Sequence, residues 1–299
     1  MRINGVEFDR TELDGWMAYM RSRGRKQTTI HTHECNVRQC LAYLTVDGRP
    51  TDAAGITAED IQFLWMTMEA KQETRKCYLR SLALMVIHYT GVDIVKQAGL
   101  LYNREVRDRV FIDETEFRTL YNRADERERL ILSLGAYMGL RRNEMLRIRD
   151  GDIVGDRLVV HGKGHGEDGL VMTVQIPAPV RKAMEDYIAT KRGRRRDDDH
   201  LIQTVGHDGH LHTMVPQALS TLVSNLGKRC GIRVTTHSLR RFCATTLYYT
   251  VRCDLTTLRE VMRHADVSTT LKCYVDAYKE REREATDALT DHLSGIISG

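Results

Sequence analysis

Four short stretches of the chain carry side chains able to act on an anion. In HSLRRFCATTL, His237 and Arg240 stand three residues apart, so a helix would place them one turn apart on a shared face. An imidazole and a guanidinium converging there form an anion site, and phosphate is the obvious anion. Taken alone, such a pair is equally what an ordinary surface helix carries. Earlier in the chain, YMGLRRNEMLRIRDGDI puts Arg141 directly after a Gly-Leu turn, opening a helix, with Glu144 three residues on along the same face. HGKGHGEDG places Lys163 at the tip of a Gly-rich turn, and VMRHADVSTTLKCY supplies His264 and then Tyr274.

The order Arg, Lys, His-x-x-Arg, His, Tyr resembles that of the tyrosine recombinases, the phage integrase family. GLRRNEMLRI is similar to that family's first arginine box, GKG to its lysine box, HSLRRFCATTL to its H-x-x-R box and RHADVSTTLKCY to its His-to-Tyr box. Each box is weak alone, whereas all of them in order and at similar spacing form a specific signal. The resemblance implies a mechanism. Tyr274 would attack a DNA phosphodiester, leaving a 3′-phosphotyrosyl link and a free 5′-hydroxyl, so the bond energy is kept and no ATP is needed. Arg141 and Arg240 would hold the non-bridging oxygens with planar, permanently charged forks. Removing one such donor is expected to lose roughly 3–4 kcal/mol of transition-state stabilisation. Lys163 would protonate the departing 5′-oxygen, His237 would shuttle the tyrosine proton, and His264 would hydrogen-bond the scissile phosphate. Glu144 would orient Arg141 or His237. No metal or other cofactor is implied, because the arginines supply the charge.

The sequence departs from the family pattern before its second histidine. Relatives carry Leu-Gly there, and this chain has Met262 and Arg263, which alters the turn and sets an extra charge beside the phosphate. Tyr274 falls ten residues after His264, and the nine-residue spacing would land on Cys273. Tyr278 is a second candidate nucleophile, while Tyr248 and Tyr249 read as core. HTHEC at 31–35 does not read as a metal site, because positions i, i+2 and i+4 share a helix face poorly and no fourth ligand follows. The basic run RSRGRK, with Arg21, Arg23, Arg25 and Lys26, suits phosphate contact, as does Arg241 beside the H-x-x-R box. KRGRRR at 191–196 is followed by three Asp and reads as a solvated loop.

These residues need elements to position them. Leu13, Trp16, Met17 and Met20 fall at i, i+3, i+4, i+7. Val37, Cys40, Leu41 and Leu44 repeat that spacing, and Ile61, Leu64, Trp65 and Met68 repeat it again. Tyr78, Leu82, Met85 and Tyr89 mark a fourth helix, and Thr57 with Asp60 forms a capping box. LLYNREVRDRVF is charged and weakly periodic, as a linker is. Beyond it, Asp113 can cap a helix holding Phe117, Leu120 and Tyr121, and Leu130, Ile131, Leu134 and Met138 mark another that stops at Gly139. RLVVH and LVMTVQI flank the Lys163 turn as a β-hairpin. After Pro177 the pattern is helical, with loops near 193–214 and 231–235. Ala285, Leu289, Leu293, Ile296 and Ile297 make a terminal apolar stripe; the family resemblance implies that it docks on a neighbouring subunit, and the alternative is a helix folded back on its own domain.

The expected fold is therefore mainly α with a small antiparallel hairpin or sheet (α+β), and the resemblance implies a two-domain DNA clamp. By the same resemblance, residues 1–100 would form a helical, SAM-like core-binding domain, 101–111 a linker and 112–299 the catalytic domain. Composition agrees. The 299 residues are 41% hydrophobic and 29% charged, with only four Pro, and carry a net charge of +4. Seven Cys without a C-x-x-C pair fit reduced thiols in a cytoplasm rather than a disulfide frame. No secretory signal opens the chain and no apolar run is long enough for a membrane. The activity that the resemblance implies is site-specific DNA recombination on a double-stranded recombination site, by a tetramer joining two sites. Accessory DNA-bending proteins, the target sequence and the choice between integration, excision and dimer resolution are not legible. A type IB topoisomerase or a DNA-binding protein with a decayed site are the alternatives. A separate arm-binding domain is not expected, since the helical pattern begins near residue 10.

Overall fold

A computed structural model describes residues 5–100, 110–162, 171–191 and 199–263, with isolated positions 286, 289, 290, 294 and 296. The chain divides into two compact units, Met1–Val106 and Arg107–Gly299.

In the first unit the apolar stripes become α1 (Thr11–Ser22), α2 (Gln27–Val46), α3 (Ala58–Thr67), α4 (Gln72–Thr90) and a single turn, α5 (Ile94–Gln97). Leu13, Trp16, Leu41, Leu44, Leu64, Leu82 and Met85 meet in one core. The third helix starts where Thr57 and Asp60 predict: the Thr57 N–H donates to Asp60 Oδ2 at 2.8 Å. Tyr89 ends up exposed, its hydroxyl donating to the Glu12 carbonyl at 2.7 Å. Trp65 is half-buried beneath the Arg75 guanidinium, 4.7 Å from its ring centroid.

The second unit opens with α6 (Glu114–Arg123) and α7 (Glu126–Ala136), each started by an Asp–Glu capping box, Asp113 with Glu116 and Asp125 with Glu128. α8 (Arg142–Arg147) and a 3₁₀ turn at Asp150–Asp152 lead into β1 (Ile153–Val154), β2 (Arg157–His161) and β3 (Val171–Gln175). These form an antiparallel sheet in the order β1-β2-β3, with Leu158 opposite Val174 and Val160 opposite Met172. Leu158 and Val160 point into the core while their neighbours on β2 do not, the period-two alternation of a half-buried strand. Then come α9 (Ala178–Lys191), β4 (Gln203–Val205), β5 (Leu211–Thr213), α10 (Pro216–Cys230), α11 (Thr236–Thr245), a π-helical turn at Thr246–Thr250 and α12 (Leu255–Met262).

Mainly helical structure with small antiparallel sheets is thus what the chain forms. α7 is apolar on several sides because it is enclosed: Leu130, Ile131, Leu132 and Leu134 are all fully buried, and the helix packs against α6, α9, α10 and α11. Gly135 lets α11 approach, since a β-carbon there would lie 2.8 Å from Leu239 Cβ and 3.3 Å from Met145 Cε.

Two expectations are corrected. The segment read as loop contains the β4–β5 hairpin, whose strands pair Gln203 with Thr213 and Val205 with Leu211. Tyr248 and Tyr249 are half-buried in the π turn rather than core, Tyr248 packing beside the small cluster of Cys243, Ala244, Leu258 and Met262. Of the terminal stripe, Leu289 and Ile296 are helical and exposed, and Ala285, Leu293 and Ile297 lie outside the described residues. Most of the expected linker, 101–109, lies outside them as well. Among the described residues no helix is long and apolar enough to cross a membrane.

Gly135→Ala tests the close α7–α11 packing. Helix propensity alone favours Ala, but overpacking of this kind costs about 1–3 kcal/mol, which lowers Tm by roughly 2–10 °C in a unit of this size. A thermal melt showing a raised Tm would contradict the packing described.

Candidate active site

The site is built on the turn that ends α7. Gly139 takes φ +56°, a conformation that favours glycine, and a β-carbon on it would meet Met262 Sδ at 2.9 Å and Cys243 Sγ at 3.3 Å. The turn therefore needs glycine for its backbone and for its neighbours. Leu140 closes it, its N–H donating to the Leu134 carbonyl at 3.1 Å. Arg141 follows as the N-cap of α8, in extended conformation, and its own N–H donates to Glu144 Oε2 at 2.9 Å. Glu144 stands at the third position of the helix because that is where a carboxylate can reach back to the cap.

Glu144 is only 2% exposed and serves three donors. Besides the Arg141 N–H, it takes Arg141 Nη1 at 2.6 Å on Oε1 and Arg263 Nη2 at 3.2 Å on Oε2. Burial pushes its carboxyl upward, but the Arg263 charge, the Arg141 N–H and the Arg141 guanidinium together hold it below the ordinary 4.5. Glu144 therefore stays ionised at neutral pH.

Arg240 arrives from α11, whose start is fixed by Thr235: Ser238 N–H donates to Thr235 Oγ1 at 3.0 Å. The side chain is 3% exposed. Its Nη1 donates to the Gly139 carbonyl and its Nη2 to the Met262 carbonyl. Burial first, then the charges of Arg141 and Arg263, push its pKa down to about 9. That is still above neutrality, so the group remains cationic. Arg141 is the open member of the set, with 37% of its side chain exposed and Nη2 donating to the Arg263 carbonyl at 2.9 Å. Arg141 and Arg240, 99 positions apart in the sequence, are thus anchored to the same two backbone places, the 139–141 turn and the end of α12. What the cluster can do chemically is receive an anion: it holds more cations than carboxylates, in a setting where charge is weakly screened.

The phage integrase family profile matches residues 110–281, more than half the chain. The chain belongs to that family. A tyrosine recombinase XerA from Pyrococcus furiosus is 28% identical over 175 residues, which span 58% of this chain and 58% of that relative. Among solved structures, a lambda integrase tetramer bound to a Holliday junction matches with a TM-score of 0.67 at 16% identity, covering 89% of this chain and 78% of that one. The XerH site-specific recombinase bound to palindromic difH substrate, a post-cleavage complex, matches at 0.63 with 17% identity, covering 96% and 90%. At such identities the structural likeness speaks for the fold.

Of the residues singled out from the phage integrase boxes, the structure brings Arg141, Glu144 and Arg240 together. His237 lies in the first turn of α11, exposed, one turn before Arg240. Lys163, His264, Tyr274 and Tyr278 lie outside the described residues. The strand that leads to Lys163 is tied to the site's own helix, since Arg147 of α8 donates to the Gly162 carbonyl at 3.3 Å. Arg241 is half-buried, donating to the Val110 carbonyl at 3.3 Å, with its guanidinium 5.6 Å from the Phe111 ring centroid. Arg21, Arg23, Arg25 and Lys26 are exposed where α1 turns into α2. In HTHEC, His31 and Cys35 face outward, whereas His33 turns inward to Ser81 Oγ at 3.0 Å and Trp16. Among the described residues no cluster of His, Cys, Asp and Glu is arranged to hold a metal ion.

The family pattern sets Arg263 beside the phosphate as an added charge. In the structure its guanidinium turns inward instead, 4% exposed, onto Glu144 and the carbonyls of Met138 and Gly139. The only signal in the sequence was the missing glycine before His264.

Glu144→Gln removes the single carboxylate described within this cluster. Breaking a buried pair in this way costs roughly 3–5 kcal/mol. The folded carboxyl lies below its ordinary value of 4.5, so its contribution is full above that pH and is lost as pH falls through the lower, folded value. Melts of both proteins should differ most at neutral pH and converge on acidification. A difference that is flat with pH would contradict the pairing.

Proposed function

We propose that this chain is a site-specific DNA recombinase that cleaves and rejoins strands through a 3′-phosphotyrosyl intermediate. The observation that carries the reading is the convergence of Arg141 and Arg240 on one turn, with Glu144 holding the open arginine in place. Family membership supports it, and so do neighbours of the same fold whose structures hold a DNA substrate and a Holliday junction.

The residues divide the work as follows. Tyr274 Oη attacks the scissile phosphorus, and the 5′-oxygen leaves as the phosphotyrosyl bond forms. His237 takes the tyrosine proton and Lys163 delivers one to the leaving 5′-oxygen. His264 hydrogen-bonds a phosphate oxygen. Arg141 and Arg240 take the two non-bridging oxygens. Each Nη of Arg240 carries two N–H groups, of which one is engaged by a carbonyl among the described residues and the other would serve the phosphate. Because their positions are set before substrate arrives, little reorganisation is needed as charge grows in the transition state. The reverse attack by a 5′-hydroxyl reseals the strand without ATP, since the phosphotyrosyl bond conserves the energy.

The partner is a double-stranded recombination site. The helical first unit supplies backbone contacts through the exposed Arg21, Arg23, Arg25 and Lys26. Two sites are joined by four copies of the chain, in the manner that the lambda integrase tetramer holds a junction, and the work is done in the cytoplasm.

A nicked suicide substrate carrying the native site, incubated without metal or ATP, should give a covalent protein–DNA band. Tyr274→Phe should abolish it while leaving DNA binding intact. A band that survives would move the nucleophile to Tyr278 or elsewhere, and the absence of any band from a bound wild-type protein would favour a DNA-binding role alone.

A further inference from the structure

Arg263 closes α12 in the left-handed region, at φ 52° and ψ 45°. A β-carbon is crowded there, which is why helices ending this way favour glycine. Among the described residues only Arg252 shares a positive φ without being glycine. Such a conformation persists where the surroundings over-determine it. Here they do. Arg263 Nη2 donates to the Gly139 carbonyl at 2.8 Å and the Met138 carbonyl at 3.2 Å, and meets Glu144 Oε2 at 3.2 Å. Nη1 donates to the Val261 carbonyl at 2.8 Å. The Arg263 carbonyl in turn accepts from Arg141 Nη2. One residue therefore joins the end of α12 to the 138–141 turn through its side chain, and receives the open arginine through its backbone.

We propose that Arg263 is a positioning residue of the strand-cleaving site, a buried guanidinium clamp that fixes Arg141 and Arg240 relative to one another and to the end of α12. The inference rests on the reading of this cluster as a phosphodiester-cleaving centre. Arg263 does not itself touch the phosphate: the bonds described for its Nη atoms run inward, and its side chain is almost fully buried. Glycine would suit the backbone but would leave Gly139, Met138 and Glu144 without this donor. Lysine would supply the charge but not the fork that serves several acceptors at once. The charged groups facing Glu144 among the described residues are Arg141 at the start of α8, Arg263 at the end of α12 and Arg240 on α11. The Arg263 charge is the largest single influence that lowers the carboxyl, and Arg141 adds to it through its N–H, its guanidinium bond and its charge. Without it, the carboxyl takes up a proton at higher pH, and Arg141 loses its ionised partner sooner as pH falls.

The test compares wild type, Arg263→Gly and Arg263→Lys as full chains on the native recombination site. Single-turnover cleavage, DNA affinity and the pH profile of cleavage are measured together. Arg263→Gly should bind DNA within about threefold of wild type, because the arginine does not face the duplex. Its cleavage should fall about 100-fold, the loss expected when reacting groups are displaced by about an ångström. The acid limb of its profile should move to higher pH. Arg263→Lys should restore the acid limb and recover only part of the rate. Cleavage by Arg263→Gly within about threefold of wild type would overturn the proposal, as would a loss of rate with an unmoved acid limb, which a purely structural role gives. Should the glycine variant fail to fold, a lysine variant with full wild-type rate would overturn it equally. Absence of a covalent adduct from wild type would instead overturn the strand-cleaving reading itself, and an active wild type with an indifferent glycine variant would sink this inference alone.

Discussion

A carboxylate as deeply buried as Glu144 is tolerated only where cations and N–H donors replace its water. In this chain those partners are Arg141 and Arg263, and Arg240 lies close enough to feel the same field. The dependence is mutual. Three guanidinium groups gathered at one turn repel each other, and Glu144 is the only described carboxylate that offsets them. The arrangement is held from both sides: the carboxylate needs its arginines to stay ionised out of water, and the arginines need the carboxylate to stay together without a bound anion. Under the proposed function, an arriving phosphodiester would add negative charge where cations are in excess, and a transition state with more negative charge would add more. On that proposal, selective stabilisation of that state would follow from geometry set in advance.

The backbone supplies the second half of the scaffold. The Gly139 carbonyl accepts from Arg240 and Arg263, and the carbonyls of Met262 and Arg263 accept from Arg240 and Arg141. Carbonyl acceptors hold a guanidinium without neutralising it, so orientation is gained while charge is kept. The packing beneath serves the same end. Gly135 lets α11 lie close on α7, and Met262 and Cys243 fill the space against Gly139. Burial pushes the Cys243 thiol up to about 11, so it packs as a small apolar group and does not compete as a nucleophile.

Much of this was legible in the residues. The spacing of Leu13, Trp16, Met17 and Met20 marks a helix with one buried face, and the same rule holds for α2 and α3. Arg141 after a Gly-Leu turn with Glu144 three residues on is a cap written in the sequence, and the structure bonds the two as that pattern requires. The β4–β5 hairpin escaped notice because its strands are largely solvated. Alternation signals a strand only when one face is buried. The π turn at Thr246–Thr250 has no periodic signature at all. For Arg263, the missing glycine was visible, but the direction of the side chain was not. A long cation beside an expected phosphate reads as a phosphate ligand, and only the positions of the Gly139 carbonyl and Glu144, contributed by a segment more than a hundred residues earlier, turn it inward.

The most direct test of the account is a paired measurement on Arg240→Gln, which keeps a polar side chain that can still donate to the Gly139 or Met262 carbonyl but removes the charge. Single-turnover strand cleavage and DNA affinity would be determined on the same recombination site, with folding checked by thermal melt. A cationic cluster that acts on the transition state predicts cleavage slowed by about 10²–10³-fold, with affinity changed only a few-fold. Cleavage and affinity falling by the same factor, or cleavage left intact, would contradict it.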